Sequence, residues 1–206
     1  MKQRLVVATT NPGKLAEIRA CFEDKQWELL SLDEHASLLG DVPAVAEGTA
    51  AEGASFESNA IKKATEICYF TGLPTLADDS GLVIDHLGGL PGVDSSVFLG
   101  VDISYPKRIS HILQQLEGLE ASQRSARFVC VMAVAFPSGQ IVTAHGECHG
   151  LIAHTPRGAG GFAYDPIFKV PKLGKTFAQL LLHEKNVISH RAKALEKMHM
   201  ALRELF

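Results

Sequence analysis

The stretch Leu76-Ala77-Asp78-Asp79-Ser80-Gly81-Leu82 sets two carboxylates and a hydroxyl between apolar residues, with a glycine directly after them. Carboxylates at a strand end can hold a divalent cation or polarise a water, and a glycine lets a ligand approach the backbone. Apolar Leu82-Val83-Ile84 resumes at once, so the run reads as the end of a buried strand, a tight turn and a second strand. A solvated Asp-Asp-Ser-Gly turn with no chemistry is the other reading of the same residues.

Three further segments carry ligand-binding residue types. Thr9-Thr10-Asn11-Pro12-Gly13-Lys14 follows the β-branched run Leu5 to Thr9 and leads into a helix with Leu15, Ile18 and Phe22 on one face. Strand, glycine-containing loop and helix is an arrangement that binds phosphate, because amide N–H groups and the positive helix end face the anion; Lys14 adds a mobile charge. It is not a Walker A loop, since the leading glycine position is Ala8 and Leu15 follows the lysine. Gly174-Lys175-Thr176 fails likewise, with Lys169 at the leading position. A plain strand-to-helix turn remains open for the Asn-Pro-Gly-Lys segment. In Arg157 to Phe168, three glycines stand beside Phe162, Tyr164 and Asp165. Aromatic faces can stack on a base and Asp can accept from ribose or ring N–H groups; an Ω-like surface loop is the bland alternative. Finally, Ser189 caps a last helix and puts His190 and Arg191 in its first turn, where basic residues oppose the dipole unless an anion or a purine edge meets them.

The bulk numbers bound what such residues can serve. At 206 residues, 46% apolar and 21% charged, the chain reads as one soluble globular domain. A net charge of -3 without a dense Lys/Arg tract argues against a nucleic-acid polymer or an anionic membrane as partner. No apolar run reaches the ~18 residues of a membrane span, and Leu5 to Ala8 is too short for a secretory signal. Cys21, Cys68, Cys130 and Cys148 are widely spaced, as expected for reduced thiols in the cytoplasm. His145-Gly-Glu-Cys148-His149 lacks a second ligand pair at zinc spacing.

The positioning elements follow from periodicity. Trp27 to Leu32 reads as a strand and Asp33 to Ala54 as a loop. Ser55 caps a helix through Phe56, Ala60, Ala64 and Ile67 that Gly72 and Pro74 end. Glu52, Glu57 and Asn59 cluster at its start, either to complement the dipole or to join Asp79 at a cation. Gly88 to Gly92 reads as a rigid loop. Tyr105 to Leu116 reads as a helix with Ile109, Ile112, Leu113 and Leu116 on one side. Arg127 to Phe136 is apolar on both faces, a central strand of a covered sheet, and Pro137 to Gln140 turns it into a hairpin partner starting at Ile141. Leu195, Met198, Leu202 and Leu205 form the core stripe of the last helix.

Taken in order, Thr9 to Lys14, Ala77 to Leu82, Gly160 to Phe168 and Ser189-His190-Arg191 closely resemble the inosine triphosphate pyrophosphatase family. The resemblance implies an α/β fold: a long mixed central sheet flanked by helices, with two lobes and a cleft between. It also implies cleavage of ITP, dITP and XTP to the monophosphate and pyrophosphate, Mg2+ as cofactor, and a homodimer. Carried over, Thr9, Thr10, Asn11, Pro12, Gly13 and Lys14 would hold the triphosphate. Asp79 would be the proton acceptor and a metal contact, with Ser80 beside it. Phe162, Ala163, Tyr164 and Asp165 would stack on and bond the nucleoside, and Lys185, His190 and Arg191 would complete the base pocket. The family's second metal-binding acid falls on Ala50 or Ala51, so Glu52, or Glu47 from farther back, would take that part. The family's arginine after Pro91-Gly92 is Val97 here, and Ala163 replaces a usual glycine. Two other readings stay open: a purine-nucleotide sensor without turnover, and the same fold acting on another modified nucleotide.

Overall fold

The computed structural model describes residues 2–22, 27–34 and 54–205. Glu47, Ala50, Ala51 and Glu52, with most of the expected 33–54 loop, lie outside the described residues. The chain is an α/β protein built on one mixed sheet of seven strands. In chain order the strands are β1 (Gln3–Val7), β2 (Trp27–Ser31), β3 (Thr75–Ile84), β4 (Ser125–Ala135), β5 (Ile141–Ile152), β6 (Phe168–Val170) and β7 (Lys175–Thr176). The helices are α1 (Pro12–Cys21), α2 (Phe56–Thr71), α3 (Tyr105–Gln115), α4 (Leu182–Ile188) and α5 (His190–Leu205). The spatial order is β2-β1-β3-β4-β5-β6-β7, with β1 parallel to β2 and β3 and every later pair antiparallel.

The pleat divides each central strand between two faces. Leu5, Val7, Leu76, Met132 and Val134 pack with Ile18 of α1 and Leu195, Met198 and Leu202 of α5. Val6, Ala77, Val131 and Ala133 pack with Ala60, Ala64 and Ile67 of α2 on the other face. A third cluster, around Leu82, Ile84, Ile112, Phe128 and Phe168, forms the core of the far end. Along β3 the core changes hands between Leu76 and Leu82, and Asp78 to Ser80 lie at that junction.

The caps follow the sequence. Ser55 accepts from the Ser58 amide, and α2 stops at Gly72, whose φ of 66° is the left-handed conformation a C-cap favours. β4 and β5 form the expected hairpin, and β5 continues to Ile152, so the His145-to-His149 segment is strand. Leu205 is 42% exposed, so the last helix contributes Leu195, Met198 and Leu202 to the core without it.

One expectation is corrected. Asp78 to Gly81 is not a turn: Thr75 to Ile84 is a single strand paired with β4 along its whole length. Gly81 serves close approach instead, because a Cβ there would lie 2.1 Å from the Gly92 carbonyl oxygen and 2.5 Å from Ser95 Oγ. Polar letters in mid-strand mimicked a turn, and the burial of both carboxylates in tertiary contacts overrode that local signal.

Candidate active site

β1 leaves the sheet early. Val7 pairs with Leu76, and the Ala8 amide donates to Leu76 O at 2.8 Å. Farther on, Leu82 N donates to Ser95 Oγ at 2.9 Å and Ile84 N to Leu90 O. Between these two coverings β3 faces a cleft lined by both polar and aromatic side chains. Asn11, Lys14, Asp79, Ser80, Phe162, Ala163, Tyr164, Asp165, Lys185, His190 and Arg191 all line it. Thr9 is buried and Gly13 half-buried, Thr10 and Pro12 of the same turn are exposed, and none of the four is part of that lining.

The alternation of β3 sends its two aspartates to opposite sides. Asp79 meets α2: Asn59 Nδ2 donates to Oδ2 at 3.0 Å and Lys63 Nζ to Oδ1 at 2.9 Å. Lys63 also donates to the Asp78 carbonyl at 2.6 Å, which fixes its ammonium at the strand edge. Asp78 meets the other face. Its Oδ1 lies 3.4 Å from Lys14 Nζ, and its Oδ2 accepts from Arg191 Nη2 at 3.2 Å and Ser80 Oγ at 3.1 Å. Burial alone would push the Asp78 carboxyl up, but Lys14, Arg191 and Lys63 outweigh it and hold the group well below the ordinary carboxylate range.

From Arg191 the network runs on to the glycine-rich loop. Arg191 Nη1 donates to Glu17 Oε2, and Glu17 Oε1 lies 2.6 Å from Lys185 Nζ. Lys185 Nζ also donates to Asp165 Oδ2 at 2.6 Å, and that oxygen accepts from the Phe162 amide at 2.9 Å. Burial favours the neutral acid at Glu17 too, yet Arg191 and Lys185 prevail and lower its pKa. At Asp165 burial prevails over Lys185, so its pKa is raised. Lys14, Lys63, Lys185 and Arg191 thus face Glu17, Asp78, Asp79 and Asp165, four buried cations against four buried anions. Each buried group thus has an oppositely charged neighbour, which offsets part of the cost of its burial.

The aromatic wall stands beside this network. Phe162 packs on the phosphate-type turn so closely that a Cβ at Gly13 would lie 2.6 Å from its ring. Lys185 Nζ lies 4.8 Å and Arg191 Cζ 5.7 Å from the Phe162 ring centre. His190 is stacked on Phe128 at 4.7 Å and 11°. Burial, then Arg191 and Lys185, push the His190 pKa well below 6.5, so the imidazole is neutral. Its Nδ1 is buried without a hydrogen-bond partner among the described residues, an atom that can take a ligand proton or offer one. The Tyr164 hydroxyl and Asp165 Oδ2 are engaged within the fold, the first donating to Ser95 O at 2.8 Å.

The turn before α1 also differs from its sequence reading. Asn11 is the N-cap, and its Oδ1 accepts from the Gly13 and Lys14 amides at 2.9 and 3.1 Å. The Asn11 amide donates to Thr9 Oγ1 at 3.2 Å. These amides are satisfied inside the turn, which leaves the Lys14 side chain and the Asn11 carboxamide as its groups lining the cavity.

Glu17, Lys63 and the structural part of Asp78 escaped the sequence reading. Asn59 and Lys63 stand one turn apart on α2, a polar pair on a face of Ala60, Ala64 and Ile67, and that was the available signal. Glu57, grouped with Asn59 in sequence, turns away and accepts from Thr143 Oγ1 at 3.1 Å. Among the described residues no three His, Cys, Asp or Glu side chains could hold a metal ion together. Magnesium is commonly held by one or two carboxylates plus substrate phosphate oxygens, and Asp79 on the cavity wall fits that donor set.

The Ham1 family model matches residues 5–201 of the chain. The chain belongs to the Ham1 family. A relative named dITP/XTP pyrophosphatase, from Geobacter sulfurreducens, is 46% identical over 192 residues, 93% of this chain and 92% of the relative. The Bacillus subtilis protein of the same name is 42% identical over 197 residues, 96% of each. Among solved structures, a Ham1 protein from Coxiella burnetii superimposes with a TM-score of 0.84 at 41% identity, covering 98% of this chain and 99% of that one. The expected mixed sheet flanked by helices is therefore the Ham1 architecture, and all four sequence segments that carried the resemblance contribute to one cavity of it.

Proposed function

We propose that this Ham1 protein hydrolyses deaminated purine nucleoside triphosphates, dITP, ITP and XTP, to the monophosphate and pyrophosphate. The observation that carries the reading is the single ion network joining Lys14, Asp78, Arg191, Glu17, Lys185 and Asp165, which unites a phosphate-type turn with an aromatic, donor-rich pocket. The relatives named dITP/XTP pyrophosphatase support it.

In this reading Asp79 accepts a proton from the attacking water, and Asn59 and Lys63 fix its orientation. Lys14 stabilises negative charge developing on the phosphates. Mg2+, held by Asp79 and phosphate oxygens with Glu52 as a further ligand, would supply charge neutralisation at the leaving pyrophosphate. The neutral His190 with Arg191 and Lys185 would read O6 and N1–H of hypoxanthine or xanthine. Adenine presents the opposite donor and acceptor there, a mismatch worth about 10^4-fold in selectivity. The family resemblance further supports a homodimer, and the four free thiols support a reducing, cytoplasmic setting.

The test is a panel of ITP, dITP, XTP, ATP and GTP with Mg2+, followed by identification of the leaving group. Pyrophosphate released from the first three is the expected result; orthophosphate, or equal use of ATP, refutes the assignment. Asp79→Asn should abolish turnover with an unchanged circular dichroism spectrum, and EDTA should abolish it in the unmutated protein.

A further inference from the structure

The cavity is also lined by Val93, Ser95, Ser96 and Tyr105. Ser95 is 6% exposed and is held from three sides: its Oγ accepts from Leu82 N, that hydroxyl donates to Gly92 O at 2.6 Å, and its carbonyl accepts from Tyr164 Oη. The segment then passes through Val97 to Leu99, a non-glycine residue at φ 69° with its side chain 46% exposed. A half-exposed leucine in the left-handed region is uncommon and calls for an outside constraint. Arg108 of α3 supplies one. It is 3% exposed, its Nε donates to Phe98 O at 2.8 Å and its Nη2 to Gly100 O at 2.9 Å, the two carbonyls flanking Leu99. Its guanidinium lies 4.9 Å from the ring centre of Tyr105, which meets Tyr164 edge-on at 5.3 Å.

We propose that Arg108 is a positioning residue for substrate binding: by clamping the carbonyls on both sides of Leu99 and supporting Tyr105, it fixes the segment that brings Val93, Ser95 and Ser96 to the wall of the nucleotide cleft. This rests on the proposed pyrophosphatase reading for the identity of the ligand. Arg108 does not itself line the cavity, so it acts only through that wall. Losing the clamp lowers the fraction of molecules whose wall is competent, and apparent affinity falls by that fraction while turnover of the bound complex persists. A competent fraction of a tenth to a third gives a KM rise of about three- to tenfold.

The experiment compares ITP kinetics of the unmutated chain, Arg108→Met, Arg108→Lys, and Arg108→Met combined with Leu99→Gly. Arg108→Met should raise KM about three- to tenfold with kcat within about twofold, and Arg108→Lys, which keeps the charge without the planar fork, should fall between. Leu99→Gly should recover part of the KM shift in the Arg108→Met background, because glycine adopts the left-handed conformation without a clamp. A purely structural loss would lower the melting temperature and leave KM unmoved. Should Arg108→Met not fold, Arg108→Lys decides alone: a raised KM with retained kcat sustains the clamp, and an unmutated KM overturns it. If the unmutated protein releases no pyrophosphate from ITP, the proposed activity fails separately, and ITP dissociation constants from calorimetry make the same comparison for the clamp.

Discussion

Replacing Glu17 with glutamine removes one anion from a buried network of equal charges and leaves nearly the same shape. Glu17 is 2% exposed and faces Lys185 and Arg191, themselves 3% and 1% exposed. Removing one partner of a buried pair costs about 3 to 5 kcal/mol, because the remaining cation is left short of compensation. For a chain of 206 residues the unfolding entropy is about 0.43 kcal/mol/K, so the melting temperature should fall by about 7 to 12 °C at pH 7. The pH dependence carries a sign. The Glu17 pKa in the fold lies below its ordinary 4.5, so its stabilisation is complete above that value and is lost as pH falls through the lower folded pKa. The gap between the two proteins should therefore be constant from pH 6 to 8 and narrow below about pH 4.5. Calorimetric melting across that range is the assay. A shift below about 2 °C at pH 7, or a gap that stays level into acid, would show that Lys185 and Arg191 are satisfied without Glu17.

Three further outcomes are expected. Gly81→Ala forces a Cβ to within 2.1 Å of the Gly92 carbonyl, backbone that cannot rotate away, so urea unfolding should show a loss of about 2 to 4 kcal/mol; a neutral effect would mean that the 91–95 segment shifts freely. Ala163→Gly removes a side chain from φ 53°, and with the loss of a partly packed methyl the net gain should be small, about 0.5 kcal/mol in chemical unfolding; a loss above 1 kcal/mol would put packing ahead of backbone strain. His190 is held neutral with a pKa well below 6.5, so the unfolded chain binds the extra proton. Stability should then decline by up to about 1.4 kcal/mol per pH unit below 6.5, and His190→Asn should flatten that slope; an identical slope in both proteins would remove His190 as its source.

What could be read from the letters depended on how local the cause was. The Ser55 cap, the Gly72 stop and the unbroken apolar run of β4 are decided within a few residues, and each is where periodicity put it. Asp78 to Gly81 failed as a turn because its strand character comes from β4 on one edge and from Lys63, Lys14 and Arg191 around its side chains. Of the candidate site, Lys14, Asp79, Phe162, Lys185, His190 and Arg191 were legible as residue types in suggestive settings, and they line one cavity. Glu17 was not, since an acid inside an amphipathic helix looks like a solvated face until Arg191 arrives from 174 positions away. Lys63 was hidden for the same reason, its partner being supplied by a strand rather than by its own helix.

Adjacent aspartates on a pleated strand have a consequence for how this protein can change. A helix would have fanned Asp78 and Asp79 by a fraction of a turn; the strand assigns them by parity, one to α1 and α5, the other to α2. Neither acid can stand in for its neighbour after mutation, and shifting β3 by one residue would exchange their surroundings wholesale.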